Sequence, residues 1–186
     1  ELGQYERALE LQRQYLAIAH ELDHPFSKAS ALYGLGTSYY YLDQMDRVID
    51  LFQQAIALLE EIDSPARATA LGGLGFIYYE LGDYDQAIAL HQQHLAIAAA
   101  VNSRSDTAYA LNNLGLAYGA LGDYVQAIEL SQQTLALIRV PGVRPQEATA
   151  LARLGGWLIE ENEHELVIVF LKSSADILVR ILGTID

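Results

Sequence analysis

A repeat with a period of about 40 residues constrains this chain more than any other feature. One marker of the period is a leucine at a predicted turn, which recurs at a nearly constant spacing at Leu2, Leu42, Leu81 and Leu121. A second marker is a leucine–glycine pair, which recurs at the same spacing at Leu35-Gly36, Leu74-Gly75, Leu114-Gly115 and Leu154-Gly155. Because two independent markers keep one period, the chain is predicted to be built from one repeated unit.

Each period is predicted to contain two helices. The first helix carries an i, i+3, i+4, i+7 stripe, for example Leu71, Leu74, Gly75 and Tyr78. Gly82 then suits a left-handed C-terminal position and Asp83 suits an N-cap, so the second helix is predicted to begin at Tyr84. A glycine inside a helix costs about 1 kcal/mol relative to alanine, so its recurrence at Gly75 and its equivalents predicts a close approach of the paired helices.

The two markers divide the chain into a single array. It consists of a half repeat at 1–27 and full repeats at 28–67, 68–107, 108–146 and 147–186. We expect a fragment of a longer protein, because the array begins on half a repeat and because the helix at 163–182 is apolar nearly all round, whereas solenoid ends normally carry a polar face. That helix alternatively packs against a second copy, or buries both faces internally.

The pattern L-x-x-L-G-x-x-Y followed by L-G-D-Y-x-x-A-I resembles the tetratricopeptide repeat. Its long period looks like the variant found in kinesin light chains, spindle-orientation adaptors and bacterial signalling proteins, and 111–118 is particularly similar to the kinesin light chain version. The resemblance implies an all-α fold, a right-handed superhelical solenoid of antiparallel helix pairs. It also implies that the first helices line a concave groove that holds a protein or a peptide.

By this resemblance, the groove residues lie beside the leucine stripe of each first helix. They are mostly aromatic and neutral, which suits recognition because tyrosine combines a large apolar surface with a hydrogen-bonding tip. The predicted contacts are Tyr33, Thr37, Tyr40, Tyr41, Phe76, Tyr79, Tyr109, Asn112, Asn113, Leu116 and Arg153. The two asparagines can donate to and accept from a peptide backbone. For any single tyrosine, the alternative is packing between neighbouring first helices.

Some members of the family clamp a C-terminal carboxylate with lysine, arginine and asparagine side chains. The clamp positions can be aligned with this chain in two registers. In the better register only Asn113 and Arg153 match the clamp, and the two positions that hold lysine in those proteins hold other residues here. A carboxylate clamp is therefore not expected.

Charge and composition narrow the class of partner. The chain has 11 basic against 24 acidic residues and a net charge of -13, which argues against nucleic acid and against an anionic membrane surface. It has no cysteine, which excludes disulfides and thiolate chemistry and is compatible with a reducing compartment. No apolar run approaches the roughly 20 residues that span a bilayer. We expect a cytoplasmic protein without a cofactor.

One segment matches a zinc-hydrolase signature. His20-Glu21-Leu22-Asp23-His24 fits H-E-x-x-H, in which two histidines bind zinc and the glutamate acts as a general base. Pro25 follows at once, so His24 lies at or beyond the helix end and the shared face is doubtful. No suitable third ligand follows.

His91 and His94 lie one helical turn apart and could share a metal ion. The aligned residues Ser131 and Thr134 are small and polar, so we expect a half-exposed helix face and no metal site. The sequence thus predicts a scaffold without enzymatic activity that binds a protein or a peptide. The alternatives are self-association through the apolar 163–182 helix and, more distantly, a zinc hydrolase at His20 and His24.

Overall fold

The computed structural model describes residues 2–138 and Gly156. The described residues form seven helices and no strand: α1 (Leu2–Glu21), α2 (Pro25–Tyr40), α3 (Met45–Glu61), α4 (Arg67–Glu80), α5 (Tyr84–Ala100), α6 (Arg104–Ala120) and α7 (Tyr124–Ile138). The predicted all-α repeat array is confirmed. None of these helices is long and apolar enough to cross a membrane. The apolar 163–182 helix and Arg153 lie outside the described residues.

The chain divides into two compact units, Glu1–Ile97 and Ala98–Asp186. In the first unit α1 packs on α2, α2 on α3 and α3 on α4. Apolar side chains of α4 and α5 join the same core, where Leu90 packs against the cluster that contains Leu74 and Ile77. In the second unit α6 packs on α7. The second helices α3, α5 and α7 therefore each pack against the first helix that precedes them in the chain.

A left-handed residue follows each of the first six helices. Four of these residues are not glycine and have φ between 47° and 57°, and two are glycines with φ of 80° and 84°: Asp23, Asp43, Asp63 and Asn102, then Gly82 and Gly122. After α2, the amide of Asp43 donates to the carbonyl of Tyr40 at 3.0 Å and that of Gln44 to the carbonyl of Tyr39 at 3.1 Å. These bonds satisfy carbonyls that the helix end leaves open.

The core of the first unit contains a phenyl ring held between two glycines. A Cβ added to Gly36 of α2 would lie 2.5 Å from Cε1 of Phe52, and one added to Gly73 of α4 would lie 3.0 Å from Cε2. Phe52 belongs to α3, so its ring contacts the first helix of its own repeat and the first helix of the next. The close approach predicted at the mid-helix glycine is thus a contact between that glycine and an aromatic ring.

The expectation of a half-exposed helix face at His91 and His94 is wrong. Their exposed fractions are 1% and 2%. His91 occupies the position of Phe52 one repeat later, and its imidazole packs against Gly75 as Phe52 packs against Gly36, with an added Cβ 2.8 Å from Cε1. The comparison with Ser131 and Thr134 was misleading because those small polar residues are themselves buried.

Candidate protein-binding site

Four aromatic rings form a continuous row in the first unit. Tyr5 of α1 stacks on Tyr41, with ring centroids 4.8 Å apart and an interplanar angle of 13°. Tyr41 meets Tyr40 edge-on at 5.5 Å, and Tyr40 meets Phe76 of α4 edge-on at 5.9 Å. Tyr41 is 55% exposed. This aromatic row brings together three predicted contacts from the ends of α2 and α4.

The end of α2 explains how neighbouring tyrosines reach different helices. Tyr40 is the last residue of α2 and Tyr41 is its C-cap. Successive residues of a helix point about 100° apart, so Tyr40 can face α4 while Tyr41 faces α1. Sequence reasoning missed Tyr5, because its contact with Tyr41 joins two repeats and the repeat pattern pairs residues only within one.

Tyr33 and Thr37 are more enclosed than the aromatic row. The Tyr33 ring stacks on Phe52 at 4.7 Å and 13°, and it lies 3.1 Å from the position of a Cβ on Gly73. Tyr33 therefore packs between two successive first helices. The Thr37 hydroxyl donates to the carbonyl of Tyr33 at 3.0 Å, one turn earlier in α2.

A small cavity opens beside Tyr33. Its volume is about 200 Å³, and its lining residues are uncharged: Phe26, Ala29, Ser30, Tyr33, Leu59, Ala66, Thr69 and Ala70. Ala29, Leu59 and Ala70 are buried and form its floor, whereas Phe26 and Thr69 are exposed. We call it the alanine cavity. Its size and lining suit one uncharged apolar side chain. Tyr33, which lines the cavity, belongs to α2, the first helix that also carries Tyr40 of the aromatic row.

The remaining predicted contact of the first unit, Tyr79, lies at the end of α4. Tyr79 is partly buried, and its ring meets that of Tyr84 at 5.6 Å with an interplanar angle of 53°. Tyr84 is the first residue of α5. The contact therefore spans the turn in which Gly82 takes φ of 80°, as the Leu-Gly-Asp pattern predicted.

In the second unit the predicted contacts lie on α6. Tyr109 is exposed, and Leu116 is partly buried. Asn112 donates from Nδ2 to Oδ1 of Asn113 at 3.3 Å. Nδ2 of Asn113 is buried and has no hydrogen-bond partner among the described residues. Arg153, the remaining predicted contact, lies outside the described residues.

His24 has a defined structural role. It is the N-cap of α2, and its Nδ1 accepts from the amide of Ser27 at 3.3 Å and contacts the Ser27 hydroxyl at 2.9 Å. The ring nitrogen nearest the backbone is thus used to cap a helix. Within the described part of the chain, no three histidine, aspartate or glutamate residues are grouped as metal ligands.

Two buried side chains, those of His91 and Tyr39, have altered pKa values. Burial, and to a smaller extent the charge of the neighbouring His94, lower the pKa of His91 from 6.5 to about 4. Burial raises the pKa of Tyr39, but Arg13 and Arg47 outweigh this and leave it lowered. Arg13 donates to the Tyr39 hydroxyl at 3.0 Å, and the Arg47 guanidinium lies 5.0 Å from the ring centroid. These two arginines hold α1 and α3 against α2.

Comparison with known families decides the class of protein. A family model described as tetratricopeptide repeat matches residues 27–100, 66–139 and 106–178, which together cover most of the sequence. The chain belongs to the tetratricopeptide repeat family. Repeat arrays of this kind are protein-interaction scaffolds, and their stacked units present extended binding surfaces. A comparison with curated proteins found no match.

Several solved structures are similar to this tetratricopeptide array. A kinesin light chain-like protein of Podosopora anserina, with nearly identical TPR-like repeats, has 22% identity and a TM-score of 0.80, covering 97% of this chain and 90% of that one. BtubC (BKLC) from P. vanneervenii has 19% identity and a TM-score of 0.91, covering 97% and 76%. Aspartyl phosphate phosphatase F from Bacillus subtilis has 16% identity and a TM-score of 0.80, covering 98% and 50%. These similarities show the fold.

Proposed function

We propose that this tetratricopeptide array binds a peptide, or an extended segment of a protein, along its first helices. The aromatic row carries the proposal. Its exposed member, Tyr41, is stacked on Tyr5, so it offers a large rigid surface that loses little side-chain freedom on binding. Aromatic side chains of this kind dominate the energetics of protein interfaces.

The alanine cavity supports the proposal by offering a place for an anchoring side chain. An apolar group that enters it leaves water and meets the buried methyl groups of Ala29 and Ala70. Burial of a leucine-sized side chain contributes about 2 kcal/mol. The uncharged lining favours a leucine, isoleucine, methionine or phenylalanine over a charged residue, since a charge would lose its hydration there.

In the second unit, α6 offers polar contacts. Nδ2 of Asn113 is a buried donor without a partner among the described residues, so folding has already removed its water. Because that atom is buried, a ligand carbonyl meets it only after the Asn113 side chain turns outward, and the hydrogen bond then contributes about 1 kcal/mol. Tyr109 lies exposed on the same helix. Amide and phenol groups of this kind suit the binding and orientation of a ligand, so we propose binding without catalysis.

The charge of the chain sets the class of partner. With a net charge of -13, the array repels strongly acidic segments at long range and favours neutral or basic ones. We propose a neutral or basic segment with one apolar anchor residue.

Selection from a random peptide library, followed by affinity measurements on variants, tests this function. Peptides selected against the chain should lose at least tenfold in affinity for Tyr41→Ala and for Thr69→Phe, which covers the mouth of the alanine cavity. Substitution of Asn112 and Asn113 by alanine should weaken binding without unfolding the array. Val125→Ala is the control, because Val125 is an exposed apolar residue outside these surfaces. Peptides that bind all the groove variants as tightly as the parent chain would contradict the proposal.

A further inference from the structure

A groove opens between the second helices α3 and α5, within the first unit. Its volume is about 260 Å³, and its floor is formed by leucine-stripe residues of α4: Leu71, Leu74 and Tyr78. Its walls carry side chains of α3 and α5: Gln53, Ile56, Ala57, Glu60, Gln86, Leu90 and Gln93. We call it the glutamine groove. It shares no lining residue with the aromatic row or with the alanine cavity, so it is a separate surface.

The array contains a copy of this groove one repeat earlier, between α1 and α3. The corresponding residues are Arg13 for Gln53, Tyr39 for Tyr78 and Arg47 for Gln86. Arg13 donates to the Tyr39 hydroxyl at 3.0 Å, and the Arg47 guanidinium lies 5.0 Å from the centroid of the Tyr39 ring. In the earlier copy, therefore, the chain covers the tyrosine with its own arginines.

The glutamine groove keeps the tyrosine but lacks both arginines. Within the described part of the chain, no arginine is among its lining residues. Tyr39 is only 8% exposed, whereas Tyr78 is partly exposed. The tyrosine that two guanidinium groups cover in one repeat is thus open in the next.

The lining suits a guanidinium group that comes from another molecule. Glutamine side-chain oxygens accept hydrogen bonds, and an arginine carries five N–H donors in a planar fork. The same planar group stacks on an aromatic ring, whose face attracts cations. The methylene stem of the arginine would contact Ile56, Leu74 and Leu90 and remove their apolar surface from water.

Charge also favours a cation at this site. Of the lining residues that the structure describes, Glu60 alone carries a charge, and the whole chain has a net charge of -13. Glu60 pairs with Arg67 at 2.7 Å, so its carboxylate already holds one guanidinium at the edge of the groove. Selectivity for a second one rests on the glutamines and Tyr78. A lysine fits less well, because its strongly hydrated ammonium group neither forks nor stacks.

We propose that the glutamine groove binds an arginine side chain of a partner protein, with the guanidinium against the ring of Tyr78 and hydrogen-bonded to the side-chain oxygens of Gln53 and Gln86. The contact reproduces between two molecules what Arg13 and Arg47 do to Tyr39 inside the chain. Because the glutamine groove is separate from the aromatic row, the array holds this arginine independently of a peptide on its first helices.

A peptide with a single arginine tests the proposal on the intact chain. The probe is acetyl-Ala-Ala-Arg-Ala-Ala-amide, titrated into isotope-labelled protein while NMR follows the side-chain amide signals. We expect saturable shifts at Gln53, Gln86 and Gln93. The same peptide with citrulline, which keeps the shape of arginine but not its charge, should bind about tenfold more weakly. Equal binding of the two peptides, or shifts confined to other residues, would overturn the proposal.

Two chain variants separate this site from a general attraction to an acidic protein. Gln53→Arg/Gln86→Arg places the chain's own guanidinium groups over Tyr78, as in the earlier copy, and should abolish the shift at Gln93. Gln92→Arg/Gln132→Arg makes the same change in net charge at exposed glutamines outside the groove, and should keep the affinity within about twofold. Equal effects of the two variants would refute the site. The citrulline comparison uses the parent chain, so it decides the matter even if the first variant fails to fold.

Discussion

The imidazole of His91 packs against Gly75, at the point where a Cβ on the glycine would lie 2.8 Å from Cε1 of the ring. Replacing glycine by alanine inside a helix normally stabilises it by about 0.5–1 kcal/mol. For Gly75→Ala we expect the opposite, a loss of about 1–3 kcal/mol, because the buried ring has no room to move. Urea denaturation measures this difference. In a His91→Ala background, Gly75→Ala should stabilise the chain as it normally does inside a helix. An equal loss of stability in that background would contradict the contact between Gly75 and His91.

Acid should destabilise the first unit through His91. The pKa of His91 is lowered from 6.5 to about 4 by burial and by His94, so the unfolded chain takes up a proton in this window that the folded chain excludes. Stability should therefore fall as the pH drops from about 6.5 to about 4, by about 3 kcal/mol in all. Urea unfolding at several pH values measures it. His91→Phe should remove most of this loss, and the exposed control His20→Gln should retain it; identical profiles for His91→Phe and the parent would refute the assignment.

Asp43 lies in the turn after α2 and takes a left-handed conformation, with φ of 57°. A left-handed backbone conformation costs an L-residue about 1–2 kcal/mol and costs a glycine almost nothing. Asp43→Gly should therefore stabilise the chain. The expected gain is only about 0.5–1 kcal/mol, because aspartate tolerates this conformation better than most residues do. Thermal unfolding measures the gain. The contrasting variant is Asp83→Ala, because Asp83 accepts from the amide of Gln86 at 3.2 Å and its loss should cost about 1 kcal/mol. A lower melting temperature for Asp43→Gly would count against this account.

The helix cap at His24 gives a further prediction. Removal of its Nδ1 acceptor in His24→Ala should destabilise α2 by about 1 kcal/mol, and His24→Asn should restore most of this, because asparagine is a favoured N-cap. Circular dichroism during heating measures both effects. The same experiment separates a cap from a metal ligand. If zinc raised the melting temperature of the parent and not of His24→Asn, a metal site would replace the cap as the role of this residue.

The sequence predicted the helices well because their markers are local. A leucine stripe, a glycine and an aspartate fix the start and the end of each helix within a few residues, as at Gly82 and Asp83. The identity of the group that fills the space at the glycine was not predictable from that pattern. The contact of Gly75 with His91 depends on how two helices cross, and the residue at that crossing is a phenyl ring in one repeat and an imidazole in the next.

Burial was harder to predict than helix position. Small polar residues occur both at surfaces and in the tight crossings of helical repeats, so Ser131 and Thr134 gave no reliable guide to His91 and His94. The groove prediction met a related difficulty. Tyr33 and Tyr41 look alike in the repeat, yet one packs on Phe52 and the other is open to solvent, because only the former faces the adjacent first helix.

The ring of Phe52, held between Gly36 and Gly73, has a consequence for recognition. It contacts α2 and α4 at once, so these helices cannot separate or slide without losing a buried contact on one side. Tyr40 and Phe76 are carried by the same two helices and therefore keep their edge-on distance before any ligand arrives. The surface is preorganised, and a partner spends little of its binding energy on ordering it.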